Sequence, residues 1–165
     1  MVENLVSFFI DLFSGLNKNL VLLLISCMPI IELRGGLIAA SLLKINLLTG
    51  FIICFIGNLL PIPFILYFIT PLFNKLKKTK YLNKLVTKLE NKANNKKDKI
   101  EKSEFFGLIF FVGIPLPGTG AWTGALIASM INMNKKKAFL AIILGVLLAG
   151  IIMSIFSYGL LGNII

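Results

Sequence analysis

Hydrophobic positions along this chain fall into long unbroken runs. Only the N-terminus and the basic segment 75–104 show the spacing of an amphipathic helix. Residues 45–74, 105–134 and 138–165 contain no charged side chain, and residues 19–43 contain only Glu32 and Arg34. Runs of this length predict membrane-embedded helices. The cleanest is 138–161, which has no Pro. At ~1.5 Å per residue it rises roughly 36 Å, against a hydrocarbon core of about 30 Å. Residues 45–74 predict a second span, interrupted by Pro61, Pro63 and Pro71.

The other two runs are broken in the middle. Residues 105–134 are cut by PLPGTG, Pro115 to Gly120. The pieces on either side, 105–114 and 121–133, rise only about 15 Å and 20 Å as helix, so each reaches near the midplane. Pro115 and Pro117 lack amide hydrogens and restrict the residues before them, while Gly118 and Gly120 permit a reversed backbone. A re-entrant hairpin is expected there. Residues 19–28 and 32–43 repeat the arrangement around Pro29, with Gly35, Gly36 and, in the second hairpin, Gly124 assigned to the same turn regions. Two kinked spanning helices are the alternative.

The lysines choose between them. Residues 75–104 hold eleven Lys against Glu90, Asp98, Glu101 and Glu104. If both broken segments span, this block and Lys135–Lys136–Lys137 fall on opposite sides. If both are re-entrant, all fourteen Lys share the cytoplasmic side, with Lys18, Lys44 and both termini outside. The positive-inside rule favours the second case. The expected fold is therefore all-α and integral to the membrane, a single domain over 1–165 in a multi-pass cytoplasmic (inner) membrane location. It has two inverted-topology halves, about 1–74 and 75–165, the second opening with the basic cytoplasmic segment 75–104. Each half is an amphipathic helix, a re-entrant helical hairpin and one transmembrane helix. Two matches support the repeat: Leu37–Ile38–Ala39 with Leu126–Ile127–Ala128 at an offset of 89, and Gly57-x-Leu59–Leu60 with Gly145-x-Leu147–Leu148 at 88. Such halves are a transporter architecture. The amphipathic helices are expected at the N-terminus, through Leu5, Phe8, Phe9, Leu12, Phe13 and Leu16, and in the basic segment, fraying after Asn94. Glu3 and Asp11 with no basic start make the N-terminus a poor signal peptide.

Composition agrees and excludes several chemistries. The chain of 165 residues is 57% hydrophobic before its 14 Gly are counted. It has no His, which excludes His-based acid–base catalysis and His-ligated zinc. Its two cysteines, Cys27 and Cys54, sit far apart in apolar segments and suit small membrane hydrophobes better than a redox pair. The net charge of +10 resides mainly in the basic segment, where Tyr81 is the lone aromatic, so nucleic-acid binding is not expected. No catalytic residue, metal or cofactor is expected, and the chain does not read as an enzyme.

Two constellations carry the chemistry. Glu32 and Arg34 are the only charges at membrane depth, and Arg34 is the only Arg of the chain. Charges there are costly and are usually functional. A mutual structural pair is the plain alternative, but positions i and i+2 point about 200° apart on a helix. Both face one cavity only if the backbone is irregular. Glu32 is the expected proton carrier. The second constellation is PLPGTGAWTGALIAS, residues 115–129. Thr119 is expected to cap a half-helix beginning at Gly120, leaving the amides of Gly120, Ala121 and Trp122 as an anion site. Thr123 adds a hydroxyl, and Trp122 a ring to stack on a ligand. Tight packing through Gly118, Gly120 and Gly124 is the alternative and is compatible with it.

ELRGG before an apolar half-helix, with PLPGTGAWTGALIAS in the second half, resembles the small multidrug export protein family, itself similar to the DedA/VTT superfamily of re-entrant membrane proteins. The resemblance covers essentially the whole chain. It implies an E-x-R site at Glu32 and Arg34 and a second loop at Pro115, Pro117, Gly118, Thr119, Gly120, Trp122, Thr123 and Gly124. One departure is Leu37–Ile38, where relatives often carry Ile-Pro. The family implies drug export, and the superfamily implies lipid movement, including undecaprenyl phosphate recycling. The first expectation is a proton-coupled transporter or flippase for an anionic lipid head group such as a polyprenyl phosphate. The alternatives are an exporter of small cationic drugs, which Arg34 opposes, and a membrane scaffold without transport. Membrane lipids are the expected partners, and a homodimer is left open.

Overall fold

The computed structural model describes residues 15–69, 97–116 and 118–160, with residues 8, 12 and 71. Among the described residues every element is helical. The expected amphipathic helices of the N-terminus and of the basic segment lie outside the described residues, except for Phe8 and Leu12, which are helical and exposed, and Leu16, which is exposed in a bend before the next helix rather than part of the expected one. Pro117 also lies outside them.

The first broken run folds as α1 (Lys18–Cys27) and α2 (Glu32–Leu42). Asn17 starts α1 by accepting the Asn19 amide at 2.9 Å. The helix stops at Met28, whose ψ of 141° is the extended conformation that a following proline, Pro29, imposes. The chain then doubles back. Lys18, at the start of α1, reaches the carbonyl of Leu43, just beyond the end of α2, at 3.5 Å. Residues 18–43 are thus a helical hairpin whose two ends lie together. Small residues draw its arms close. A side chain at Gly36 would overlap Ser26 and Cys54. Gly35 and Gly36 were expected in the turn, but both lie within α2 and are buried there.

α3 (Leu47–Leu59) runs on through a turn at Leu60–Pro61 into the short α4 (Ile62–Phe64) and a π-helical turn, Ile65–Ile69. The second broken run is α5 (Lys97–Gly113) and α6 (Ala121–Met130). α5 begins earlier than the charge-free segment does, because the Lys- and Glu-rich residues before it are themselves good helix formers. The last run is α7 (Lys135–Ser154), ending in a second π-helical turn, Ile155–Leu160.

Two connections share one geometry. After α2, Lys44 takes φ +55°, with Ile45 N–H donating to Ala40 O at 2.9 Å and Lys44 N–H to Ser41 O at 3.0 Å. After α6, Asn132 takes φ +55°, with the corresponding bonds from Met133 to Ala128 at 2.9 Å and Asn132 to Ser129 at 3.4 Å. Both are Schellman caps. Asn46 and Asn134 then start α3 and α7 with their side-chain oxygens. All these positions correspond at a separation of 88. The Leu-Ile-Ala match at 89 is therefore one residue out of the structural register, and the Gly-x-Leu-Leu match is in it.

Leu47–Ile69 and Lys135–Gly159 are long and apolar enough to cross a membrane, with mean hydropathies of 2.3 and 2.9. In the most apolar 18-residue window of each, 33% of the positions are buried in the protein and the rest are at least partly exposed. α7 makes the logic visible. Ala138, Ala141, Gly145 and Ala149 face the interior, while Leu140, Leu144, Leu147 and Ile151 are exposed. Small residues inside and bulky ones outside is how helices pack in lipid, where close backbone approach stabilises association and outward leucines cost nothing. The two long elements run antiparallel. Near the end of α7, Tyr158 donates to Ile45 O at 2.9 Å, and Ser41 donates to Ser157 O at 3.1 Å. At its start, Lys135 Nζ sits 4.5 Å above the ring of Tyr67.

Candidate functional site

The N-termini of α2 and α6 meet inside the bundle, and the two charges of the ELRGG motif lie at the junction. Glu32 opens α2 with φ +52°, the left-handed region that non-glycine residues seldom occupy. That irregularity is what positions 32 and 34 need, since on a regular helix they would diverge. Both side chains reach the second hairpin.

The Glu32 carboxylate accepts the amide of Ala121 at 3.2 Å through Oε2 and the amide of Trp122 at 3.2 Å through Oε1. These are the first free amides of α6, where the helix dipole also favours negative charge. Gly120 is the cap residue, at φ +145°, and a Cβ there would overlap the Glu32 carboxylate. The glycine is thus required twice, by its backbone and by its neighbour. Glu32 is buried, 5% exposed.

Arg34 is half-buried and holds the turn before α6. Its guanidinium donates to the carbonyl of Leu116, to the carbonyl of Thr119 at 2.7 Å and to the Thr119 hydroxyl at 2.9 Å. The guanidinium thereby ties together carbonyls of the turn between the end of α5 at Gly113 and the start of α6. Glu32 and Arg34 form no hydrogen bond with each other, and both spend their hydrogen bonds on the tip of the second hairpin, Glu32 on the first amides of α6 and Arg34 on the turn before it. Trp122 returns the contact, its indole N–H donating to Cys27 O at the end of α1 at 3.2 Å.

Three sequence expectations change. Thr119 does not cap α6. Its hydroxyl lies 2.9 Å from Ile114 O and 2.8 Å from Leu116 O and closes the turn, while Gly120 is the cap. The amides of Ala121 and Trp122 are not an open anion seat, because Glu32 fills it. Gly124 is not in the turn but within α6, buried where a side chain would meet Val112. Thr123 lies half-buried on the first turn of α6, Gly118 (φ +84°) and Pro115 are in the turn, and Pro29 is exposed in the first turn.

The junction opens on a small cavity lined by Glu32, Arg34, Gly120 and Asn58, with Val112 and Val146 among its apolar walls. Asn58 went unremarked in the sequence. Its signal was there: it is the one amide side chain inside the apolar stretch Leu47–Ile69.

Fold and site together define a helical membrane protein with a charged, hydrogen-bonded centre between two helix hairpins. The family model described as "Putative small multi-drug export protein" matches residues 32–152, from Glu32 of the site into α7, and the chain belongs to that family. That description is consistent with a membrane transporter. No curated protein matches the chain. No solved structure matches it either.

Proposed function

We propose that the protein is a proton-coupled transporter that moves an anionic lipid head group, such as a polyprenyl phosphate, through the junction of two re-entrant hairpins. The hairpins enter from opposite faces of the cytoplasmic membrane, one in each of two inverted halves. The shared caps 88 residues apart support this, as does the reciprocal clasp. Positions 34 and 122 correspond at that separation, and each donates to backbone carbonyls at the tip of the other hairpin, Arg34 to Leu116 and Thr119 in its turn and Trp122 to Cys27 at the end of α1. Inverted halves with helix ends meeting at the midplane are a transporter architecture.

One observation carries the substrate reading: a helix N-terminus inside the bundle holds a buried carboxylate, with a guanidinium nearby. This is the chemistry of an anion seat, filled by the protein's own Glu32. Each hydrogen bond to the ionised carboxylate contributes about 1.5–3 kcal/mol, and the neutral acid is a poorer acceptor. Protonating Glu32 therefore loosens it from the amides of Ala121 and Trp122 and vacates the seat for a phosphate. Arg34, released from the turn carbonyls, pairs with the phosphate oxygens. Proton and anion enter together and leave together, while the hydrocarbon chain trails between outward-facing apolar side chains into lipid.

The test uses purified protein in liposomes, assayed for polyprenyl-phosphate movement and for export of a small cationic drug side by side. Glu32→Gln is expected to keep the fold and abolish dependence on a pH gradient. Arg34→Ala is expected to abolish retention of polyprenyl phosphate over the uncharged polyprenol in native mass spectrometry. Equal retention of both lipids by wild type would defeat the anion reading. Export of the cationic drug in the same liposomes would then favour the drug export that the family description names, with Glu32 as the counter-ion.

A further inference from the structure

Asn58 is 2% exposed, and its Oδ1 finds no hydrogen-bond partner among the described residues. Buried amide oxygens are normally paired, with protein or with water, because desolvating one alone is unfavourable. Asn58 lines the same cavity as Glu32, and that cavity suits about one water molecule. Each Glu32 oxygen takes one amide hydrogen and keeps an acceptor position to spare. Two acceptor side chains on one water-sized cavity call for a molecule with two hydrogens to donate. A metal cation fits poorly, since the guanidinium of Arg34 lines the same cavity and the remaining walls are largely apolar.

We propose that Asn58 and Glu32 hold one water between them and that this water is the route by which Glu32 gains and loses its proton. An excess proton arriving on the water as hydronium passes to a Glu32 oxygen, and neutral water stays on Asn58. Return runs the same step backwards. Asn58 is then a positioning residue. The elements packed against α2 bring Lys18 and Cys27 (α1), Cys54 (α3), the lysine cluster 135–137 (α7) and Tyr158 (last turn), and α6 brings no titratable side chain. Of these and Arg34, only Arg34 lines the cavity. Among the described residues no other titratable group lines it.

The proposal rests on Glu32 being the proton carrier, so the experiment separates the two. The full-length protein in lipid is followed by time-resolved infrared spectroscopy after a pH jump. The protonated Glu32 carbonyl stretch is assigned by its loss in Glu32→Gln. Asn58→Val and Asn58→Thr share one shape and differ in a hydroxyl that can hold the water. Asn58→Val is expected to slow the appearance of the Glu32 band by roughly a hundredfold and to move the band to higher frequency, the mark of a lost hydrogen bond. Asn58→Thr is expected to stay close to wild type in both. If Asn58→Val matches wild type, or if Asn58→Thr is as slow as Asn58→Val, Asn58 acts through packing and the water route is wrong. If no band disappears in Glu32→Gln, the carrier reading fails, and the water route fails with it.

Discussion

Gly120 and Glu32 share one space, which makes them the sharpest test of the site at the residue scale. A methyl group at 120 must both adopt φ +145° and overlap the carboxylate. Gly120→Ala is expected to cost about 2–4 kcal/mol of stability in detergent unfolding. Glu32→Ala alone uncaps two amides and is expected to cost about 1–3 kcal/mol. The double variant is expected to cost less than the sum by at least about 1 kcal/mol, since removing the carboxylate makes room for the methyl. Strict additivity would refute the packing of Glu32 on Gly120. Glu32 and Arg34 were legible as the only charges in an apolar run. Their partners were not, because Glu32 bonds a residue 89 positions away. The helix N-terminus that looked open in the sequence is closed by that contact.

At the scale of elements, caps decide where each helix stops. Lys44 and Asn132 both occupy the left-handed position of a Schellman cap, which glycine fills without penalty. Lys44→Gly is expected to stabilise the protein by about 0.5–1 kcal/mol in a reversible unfolding titration. Asn132→Gly is expected to do less, since Asn tolerates that conformation better. Asn134→Ala removes the acceptor of two amides and is expected to cost about 1 kcal/mol. If Lys44→Gly destabilises, the cap geometry is wrong. The helix breaks at Pro29 and around Pro115 were legible because proline acts on its immediate neighbours. The placement of Gly36 and Gly124 inside helices was not, since a glycine that permits a turn and one that admits a neighbouring helix look alike in sequence.

At the scale of the whole molecule, the hairpin reading makes a topological prediction. In a variant lacking Cys27 and Cys54, single cysteines at Glu90 and Lys136 are expected to react with an impermeant reagent from the cytoplasmic face, and one at Lys44 from the opposite face. Reaction of positions 90 and 136 from opposite faces would overturn the re-entrant second half.

The sequence by itself determined the medium and the class of element. Apolar runs of 20 residues and more belong in lipid, where the backbone must satisfy its own hydrogen bonds, so they are helical. It also determined the lengths of the broken pieces and the two residues that carry charge among them. Those properties act within one segment and can be read along it. Only the tertiary structure decided that Glu32 accepts the first amides of α6, that Arg34 holds the turn before it, that Trp122 answers to Cys27, and that Asn58 borders the same cavity. These are contacts across 26 to 95 residues of chain. They exist because two hairpins with small-residue faces pack until their tips meet, and no local preference of either hairpin specifies what its tip will touch.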